Sequence, residues 1–277
     1  MKAFLLAAGL GTRLKPLTDT IPKALVPVRG KPMLERLAAG LARGGVTEFA
    51  LNTHHLSAPV ERCLRARQDR GRFAALPRLP VRLYREPALL GTGGALLNAA
   101  DFWGDAPLLV WNADIFADLA PAALFAAFGE AHGAAHGAAH AAAHAGGAGT
   151  LALLAVSDRS ASSHLLFDAD GVLCGIDSPR RNDRRVLRPP RGTPAPKAFH
   201  GVSVLGAGLK DLMARRHAPG SAFDLIDALL EAVEEGGLVR AYDAGASFWG
   251  STGTPKELER LERELGERPE LLARWTP

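Results

Sequence analysis

The chain has 277 residues, 47% of them hydrophobic and 22% charged, enough apolar material to bury a core and too balanced for whole-chain disorder or a coiled coil. Lys and Arg outnumber Asp and Glu by 33 to 29, a net charge of +4, and no apolar run reaches the ~18 residues that a membrane helix needs. The apolar start, Ala3 to Ala8, is shorter than the core of a signal peptide, and a pair of distant cysteines, Cys63 and Cys174, excludes a disulfide framework, so a cytoplasmic setting is expected.

In chain order, Lys2–Ala8 (KAFLLAA) reads as a buried parallel strand running straight into a glycine-rich turn. Lys31–Gly44 carries Met33, Leu34, Leu37, Ala38 and Leu41 at helical spacing and stops at Gly44-Gly45. A strand is predicted over Glu48–Asn52, and a helix follows with Ser57 as its cap and Pro59 in its first turn. Val81–Tyr84 reads as a strand, Gly94–Ala100 as a short helix, Leu108–Trp111 as a strand and Ala122–Phe128 as a helix. A hairpin is predicted from Leu165 to Ile176 around Asp170-Gly171. Strands at Phe199–Leu205 and Leu238–Tyr242 alternate with helices at Leu209–Arg216 and Phe223–Glu235, and a last helix starts after Pro255. Strands alternating with helices at this pace indicate an α/β protein with a mixed, mainly parallel sheet between helical layers.

Two stretches depart from this pattern. Ser178–Lys197 carries seven basic residues against Asp183, a local charge of +6, so the rest of the chain is −2. Its prolines, Pro179, Pro189, Pro190, Pro194 and Pro196, forbid a continuous helix or a central strand. The stretch reads as a solvated loop, with a lid for an anionic substrate as the alternative and bulk nucleic-acid binding ranking last. Glu130–Gly149 repeats a Gly-Ala-Ala-His unit, placing His132, His136, His140 and His144 along one helical face. A duplicated unit lengthening the preceding helix explains this better than a surface metal site, because no carboxylate ligand or supporting partner accompanies the imidazoles.

The chemistry concentrates in Ala7–Lys23 (AAGLGTRLKPLTDTIPK). A Gly-x-Gly-Thr-Arg turn after a buried strand exposes backbone N–H groups that can wrap a polyphosphate. Gly9 and Gly11 allow close approach, Arg13 offers a fork of donors, and Lys23 supplies a point charge behind Pro22. A Walker loop is excluded because Thr12-Arg13 follows Gly11, and a dinucleotide fingerprint fails at Leu14, where glycine is required.

The full string, Gly9-Leu10-Gly11-Thr12-Arg13, Pro16-Leu17-Thr18, Pro22-Lys23, Leu25-Val26-Pro27-Val28 and Gly30-Lys31-Pro32-Met33, closely resembles the N-terminal signature of the sugar-1-phosphate nucleotidyltransferases. Leu90-Gly91-Thr92-Gly93-Gly94-Ala95, Asn112-Ala113-Asp114, His200-Gly201-Val202-Ser203 and Phe248-Trp249 with Gly253-Thr254-Pro255 resemble later motifs of that family. Among its members, compact N-acetylmuramic acid 1-phosphate uridylyltransferases and mannose or heptose 1-phosphate guanylyltransferases look most similar. No hexapeptide repeats follow the motifs, so a fused β-helix is not expected.

The resemblance implies a single three-layer α/β/α domain with a Rossmann-like sheet of the nucleotide-diphospho-sugar transferase type. Its nucleotide-binding half would be 1–116 and its sugar-binding half 150–277. It implies transfer of a nucleotidyl group from an NTP, UTP or GTP, to a sugar 1-phosphate, with Mg²⁺ as cofactor and no nucleic-acid or membrane partner. Arg13 and Lys23 would be the catalytic pair. Ala8, Gly9, Gly11, Thr12, Gly91, Thr92 and Gly93 would contact the nucleotide, and Asn112, Gly201 and Trp249 the sugar. A tryptophan such as Trp249 is more often core packing than a substrate contact, and loop polarity explains Asn52 and His54 as well as a place in the cleft does. Asp114 would hold the metal.

The sequence departs from the family where the second metal aspartate stands: Trp249-Gly250-Ser251-Thr252-Gly253 places Ser251 there, and a neutral hydroxyl does not replace a carboxylate charge. Ala113 replaces an expected glycine, which is harmless only where φ is negative. Ile176-Asp177-Ser178-Pro179 stands where many relatives carry Glu-Lys-Pro, and Arg85-Glu86-Pro87 where uridylyl relatives often carry glutamine, which favours guanine or a looser uridine site. A working enzyme and a catalytically weakened nucleotide-binding relative are therefore both carried forward. Oligomeric state is left open.

Overall fold

A strand with consecutive apolar residues from Ala3 to Leu6 needs cover on both faces, and Lys2–Leu6 obtains it: Ala3, Phe4 and Leu5 are completely buried. The computed structural model describes residues 1–66, 79–141, 149–273 and 275. After β1 (Lys2–Leu6) come β2 (Pro27–Val28), β3 (Lys31–Pro32), α1 (Met33–Arg43), β4 (Glu48–Thr53), α2 (Ser57–Ala66) and β5 (Val81–Arg85). The chain continues through α3 (Gly91–Asn98), α4 (Ala100–Trp103), β6 (Leu108–Asn112), β7 (Ile115–Ala117) and α5 (Pro121–Ala141). Strands β8 (Thr150–Ser157), β9 (His164–Phe167), β10 (Leu173–Ser178), β11 (Asp183–Val186) and β12 (Ala195–Leu205) follow. The last elements are α6 (Ala207–Arg216), α7 (Leu225–Glu234), β13 (Leu238–Asp243), β14 (Trp249–Ser251), α8 (Pro255–Glu267) and α9 (Glu270–Ala273). The expected α/β class, a mixed sheet flanked by helices, is the one formed. No helix among the described residues is long and apolar enough to cross a membrane.

Packing divides the chain into two compact units, one of Met1–Leu89, Trp111–Pro121 and Phe248–Pro277, the other of Leu90–Val110 and Ala122–Ser247. This differs from the expected halves, because the C-terminal segment joins the N-terminal unit. There β14 pairs antiparallel with β7, and the Trp275 ring lies 5.4 Å from Trp111 and 5.3 Å from Phe116. Gly40 of α1 admits that ring: a Cβ there would stand 2.1 Å from Trp275. In the same unit β4 lies between β1 and β5, all parallel. The β2–β3 hairpin turns on Arg29 (φ 48°) and Gly30 (φ 74°), the two left-handed residues a tight hairpin demands. Buried Arg36 of α1 clamps that turn, donating to the carbonyls of Val28 at 2.7 Å and Arg29 at 2.9 Å.

In the second unit β8 is buried at every position, with β12 antiparallel on one side and β13 parallel on the other. The predicted hairpin is β9–β10, turning at Gly171 (φ 69°). The basic stretch is not the loop expected. It carries β11, which pairs antiparallel with β10 at the sheet's edge, the place its prolines permit. Five of its cations stand beside carboxylates: Arg181 with Asp227 at 2.8 Å, Arg185 with Asp183 at 3.2 Å, Arg188 with Asp168, Arg191 with Asp170 at 2.9 Å and Lys197 with Asp158 at 2.8 Å. Helix α5 runs on into the His-Ala repeat, where His132 stacks on Phe128 and its Nδ1 lies 3.1 Å from the Thr150 carbonyl. His144 lies outside the described residues.

Candidate active site

The glycine-rich loop is shaped by one left-handed residue. Gly11 (φ 66°, ψ 25°) opens a 3-10 turn at Thr12–Leu14, and its carbonyl accepts from Leu14 N–H at 2.8 Å and Thr18 Oγ1 at 2.7 Å. A Cβ on Gly11 would meet Thr18 Cγ2 at 2.7 Å, so both the conformation and the space require glycine. Thr12 and Arg13 stand exposed on the turn. Lys23 begins a second 3-10 turn, and its stem passes Gly9, 3.7 Å from where a Cβ would sit.

The Lys23 ammonium forms an ion pair with the Asp114 carboxylate, both side chains largely buried at 17% and 20% exposure. Asp114 occupies the turn between β6 and β7, and Ala113 N–H donates to the Leu6 carbonyl at 3.0 Å, docking that turn on the end of β1. Ala113 is not among the residues with positive φ, so alanine replaces the expected glycine without strain.

Ser251 is buried at the end of β14, in register with Ile115, and Thr252 N–H donates to the Asp114 carbonyl at 2.9 Å. The Ser251 hydroxyl oxygen accepts from Gly253 N–H at 2.9 Å. The point where a Gly253 Cβ would lie is 3.0 Å from Ser251 Oγ, 2.9 Å from Glu257 Oε2 and 3.4 Å from Arg13 Nη2. Arg13, Lys23, Asp114 and Ser251, spread over 239 positions of sequence, thus belong to one unit around one loop. Asn112 ends β6 and Trp249 begins β14, each half-buried.

These donors fit Mg²⁺ in the way that ion is commonly held, by one carboxylate with the remaining positions left to water and substrate phosphates. They do not make an all-protein cage. Among the described residues no group of three or more His, Cys, Asp and Glu gathers to hold a metal.

The second glycine cluster lies in the other unit. Gly91 (φ 71°) starts α3, three residues before the predicted helix, and its neighbours pack against 221–224. A Cβ at Gly91, Gly93 or Gly94 would stand 2.5 Å from Phe223 O, 2.3 Å from Phe223 Cε2 or 2.4 Å from Ser221 O. Gly93 N–H, expected to face a nucleotide, donates instead to Phe223 O at 2.9 Å, and Thr92 Oγ1 accepts from Leu225 N–H at 2.8 Å. These glycines are demanded by close packing as much as by any ligand. Gly201 (φ 75°) lies in an irregularity of β12 between Phe199 and Ser203. Beside it His200 is buried against Ser157 Oγ at 2.8 Å, and burial, aided by the Arg159 cation, pushes its pKa down to about 4.

The sequence reading left Asn52 undecided. It is buried in β4 and bonded to the first residue of the glycine-rich loop, Ala7. A polar residue directly after the apolar run Phe49–Leu51 is the available signal.

The profile of the family described as nucleotidyl transferase matches residues 2–146. An N-acetylmuramate alpha-1-phosphate uridylyltransferase from Caulobacter vibrioides is 40% identical over 125 residues, 45% of this chain and 50% of that protein. A mannose-1-phosphate guanylyltransferase catalytic subunit beta from Danio rerio is 37% identical over 120 residues, 43% of this chain and 32% of that protein. The chain therefore spans between about a third and about half of the length of the curated relatives it matches. A UTP-bound UGPase from Acinetobacter baumannii superimposes with a TM-score of 0.70 at 20% identity, covering 98% of this chain and 95% of that one. That likeness is one of fold.

Proposed function

This chain belongs to the nucleotidyl transferase family, and on that premise we propose that it transfers a nucleotidyl group from an NTP to a sugar 1-phosphate. A phosphate oxygen of the sugar phosphate attacks the α-phosphorus, the bond from that phosphorus to the β-phosphate bridging oxygen breaks, and pyrophosphate leaves. The nucleophile is already an anion at neutral pH, so the protein need not supply a general base. Positioning and neutralisation carry the rate.

The observation that carries this reading is the gathering of Lys23, Asp114, Arg13 and the Ser251–Gly253 turn around the glycine-rich loop. Arg13 braces the β- and γ-phosphates. Lys23 sits where a second anion, the α-phosphate, can share its ammonium with Asp114. Mg²⁺ would be held by Asp114, with Ser251 at the second-ligand position, and would supply further neutralisation of the phosphate oxygens. Backbone at Ala8, Gly9, Gly11 and Thr12 lines the phosphates. Asn112 and Trp249, which belong to the same unit as the glycine-rich loop, serve the sugar. UTP and GTP are the donors that the names of the relatives favour, and the reaction belongs in the cytoplasm.

A second reading rests on Ser251, whose neutral hydroxyl stands where a second carboxylate is expected and already accepts from Gly253 N–H. On that reading the protein binds nucleotide or nucleotide sugar as a regulatory subunit. Pyrophosphate release with Mg²⁺, measured for UTP, GTP, dTTP, ATP and CTP against several sugar 1-phosphates, separates the two when run beside Ser251→Asp. Turnover by the native chain is expected. Silence in the native chain, with activity gained by Ser251→Asp and nucleotide bound by both, establishes the regulatory reading. UTP binding ten times tighter than GTP would remove the guanine preference.

A further inference from the structure

The amide that opens the glycine-rich loop is held by a relay of buried side chains. Ala7 is the first residue after β1, and its N–H donates to Asn52 Oδ1 at 2.7 Å. Asn52 Nδ2 donates to Glu86 Oε1 at 2.7 Å. Glu86 is the first residue after β5, its own N–H donates to the Thr53 carbonyl at 2.8 Å, and its carbonyl lies 2.8 Å from His54 Nδ1. Asn52 is 3% exposed and Glu86 4%. The relay therefore ties together the carboxyl ends of three neighbouring parallel strands, β1, β4 and β5.

Its polarity is one-way. A carboxamide has one accepting end and one donating end, and an ionised carboxylate only accepts. Glu86 can take only the Nδ2 end of Asn52, which turns Oδ1 toward the Ala7 amide. Aspartate at 52 would set a second carboxylate against Glu86. An apolar residue there would leave the Ala7 N–H buried without an acceptor, and a buried unpaired donor is costly.

We propose that Asn52 and Glu86 are positioning residues for the phosphate-binding loop. Glu86 orients the Asn52 carboxamide, and Asn52 fixes the direction in which the chain leaves β1 toward Gly9–Gly11. Both act through backbone. What the loop binds rests on the nucleotidyl-transfer reading, whereas the polarity of the relay belongs to the free chain and is testable without nucleotide.

The test is a polarity swap in the full chain. Asn52→Asp keeps an acceptor for Ala7 but opposes Glu86. Glu86→Gln keeps an acceptor for Asn52. The double variant N52D/E86Q restores complementarity, because the new carboxylate accepts from Ala7 N–H and from the new carboxamide. Hydrogen exchange of the peptide spanning Ala7–Arg13, without ligand, is expected to quicken ~10-fold in N52D and to return to within about twofold of wild type in the double variant. KM for the NTP should rise and recover in the same order while kcat moves less than about threefold. A purely structural role would lower Tm and exchange protection throughout the protein with KM unchanged. Wild-type loop exchange in N52D overturns the proposal, as does a double variant with restored Tm but fast loop exchange. If N52D does not fold, Glu86→Leu decides: it frees the carboxamide, so quickened loop exchange is expected and wild-type exchange overturns. A wild-type chain that binds no NTP yet shows the exchange pattern refutes the nucleotidyl-transfer reading and leaves the relay standing.

Discussion

Lys23 and Asp114 are separated by ninety-one positions and share one ion pair beside the glycine-rich loop. Lys23 was legible as a residue because proline and the glycine turn frame it, but its partner was not, since nothing local selects one aspartate among many. Asp114 was singled out for another role, that of a metal ligand, and the structure adds the lysine. Lys23→Ala is expected to lower kcat ~10²–10³-fold, in the range found when one donor to a developing oxyanion is removed. Lys23→Arg should recover little, since a planar fork does not reproduce a compact ammonium. Pyrophosphate release at saturating NTP checks both, and a Lys23→Ala enzyme with wild-type kcat would remove the residue from the mechanism.

Among the elements, α8 shows how a motif read for chemistry can also be architecture. Gly253-Thr254-Pro255 resembles a family motif, yet in the fold it starts a helix: Thr254 is the N-cap, Pro255 opens the first turn, and both the amide and the carboxylate of Glu257 meet the Thr254 hydroxyl. Thr254 Oγ1 accepts from Glu257 N–H at 3.2 Å and donates to Glu257 Oε2 at 2.9 Å. Thr254→Ala is expected to cost about 1 kcal/mol in chemical denaturation, and Thr254→Ser a few tenths. An unchanged midpoint for Thr254→Ala would show that the cap contributes nothing. Helices and strands with strong periodicity, such as α1 and β1, were legible to within a residue or two. Strand β8, buried throughout and following the His-Ala repeat, was not singled out, and the short pairs β2–β3 and β7–β14 carry too few residues for any period to register. The glycines at 91–94 were legible as special, but not that the 221–224 segment packs on them.

For the molecule as a whole, two groups make stability fall in acid. His200 has its pKa pushed from 6.5 to about 4, so the unfolded chain takes up its proton first. Its contribution is full above pH 6.5 and is lost as the pH falls toward 4, about 3 kcal/mol across that window. Burial pushes the Asp168 carboxyl upward, but the amides of Val172 and Arg191, the Arg188 cation and the amide of Asp170 together hold it below 3.8. Its share is present above 3.8 and lost as the pH falls through its lowered folded value. Urea denaturation between pH 7.5 and 4.5 should show a steady decline that His200→Phe flattens. A profile flat from pH 7 to 5 in the native chain would contradict a buried neutral His200.

By itself, the sequence determined the α/β class, the run of major elements, the glycine-shaped turn at Gly9–Arg13 and the family. All of these rest on periodicity, glycine stereochemistry and contiguous motifs, which are local properties of the chain. Only the tertiary structure decided that Lys23 pairs with Asp114, that Asn52 holds the Ala7 amide, that Phe248–Pro277 returns to the N-terminal unit, and that Arg181 and Arg191 pair with Asp227 and Asp170. Each of those is a choice among many chemically equivalent partners, and it is made by which strands lie side by side.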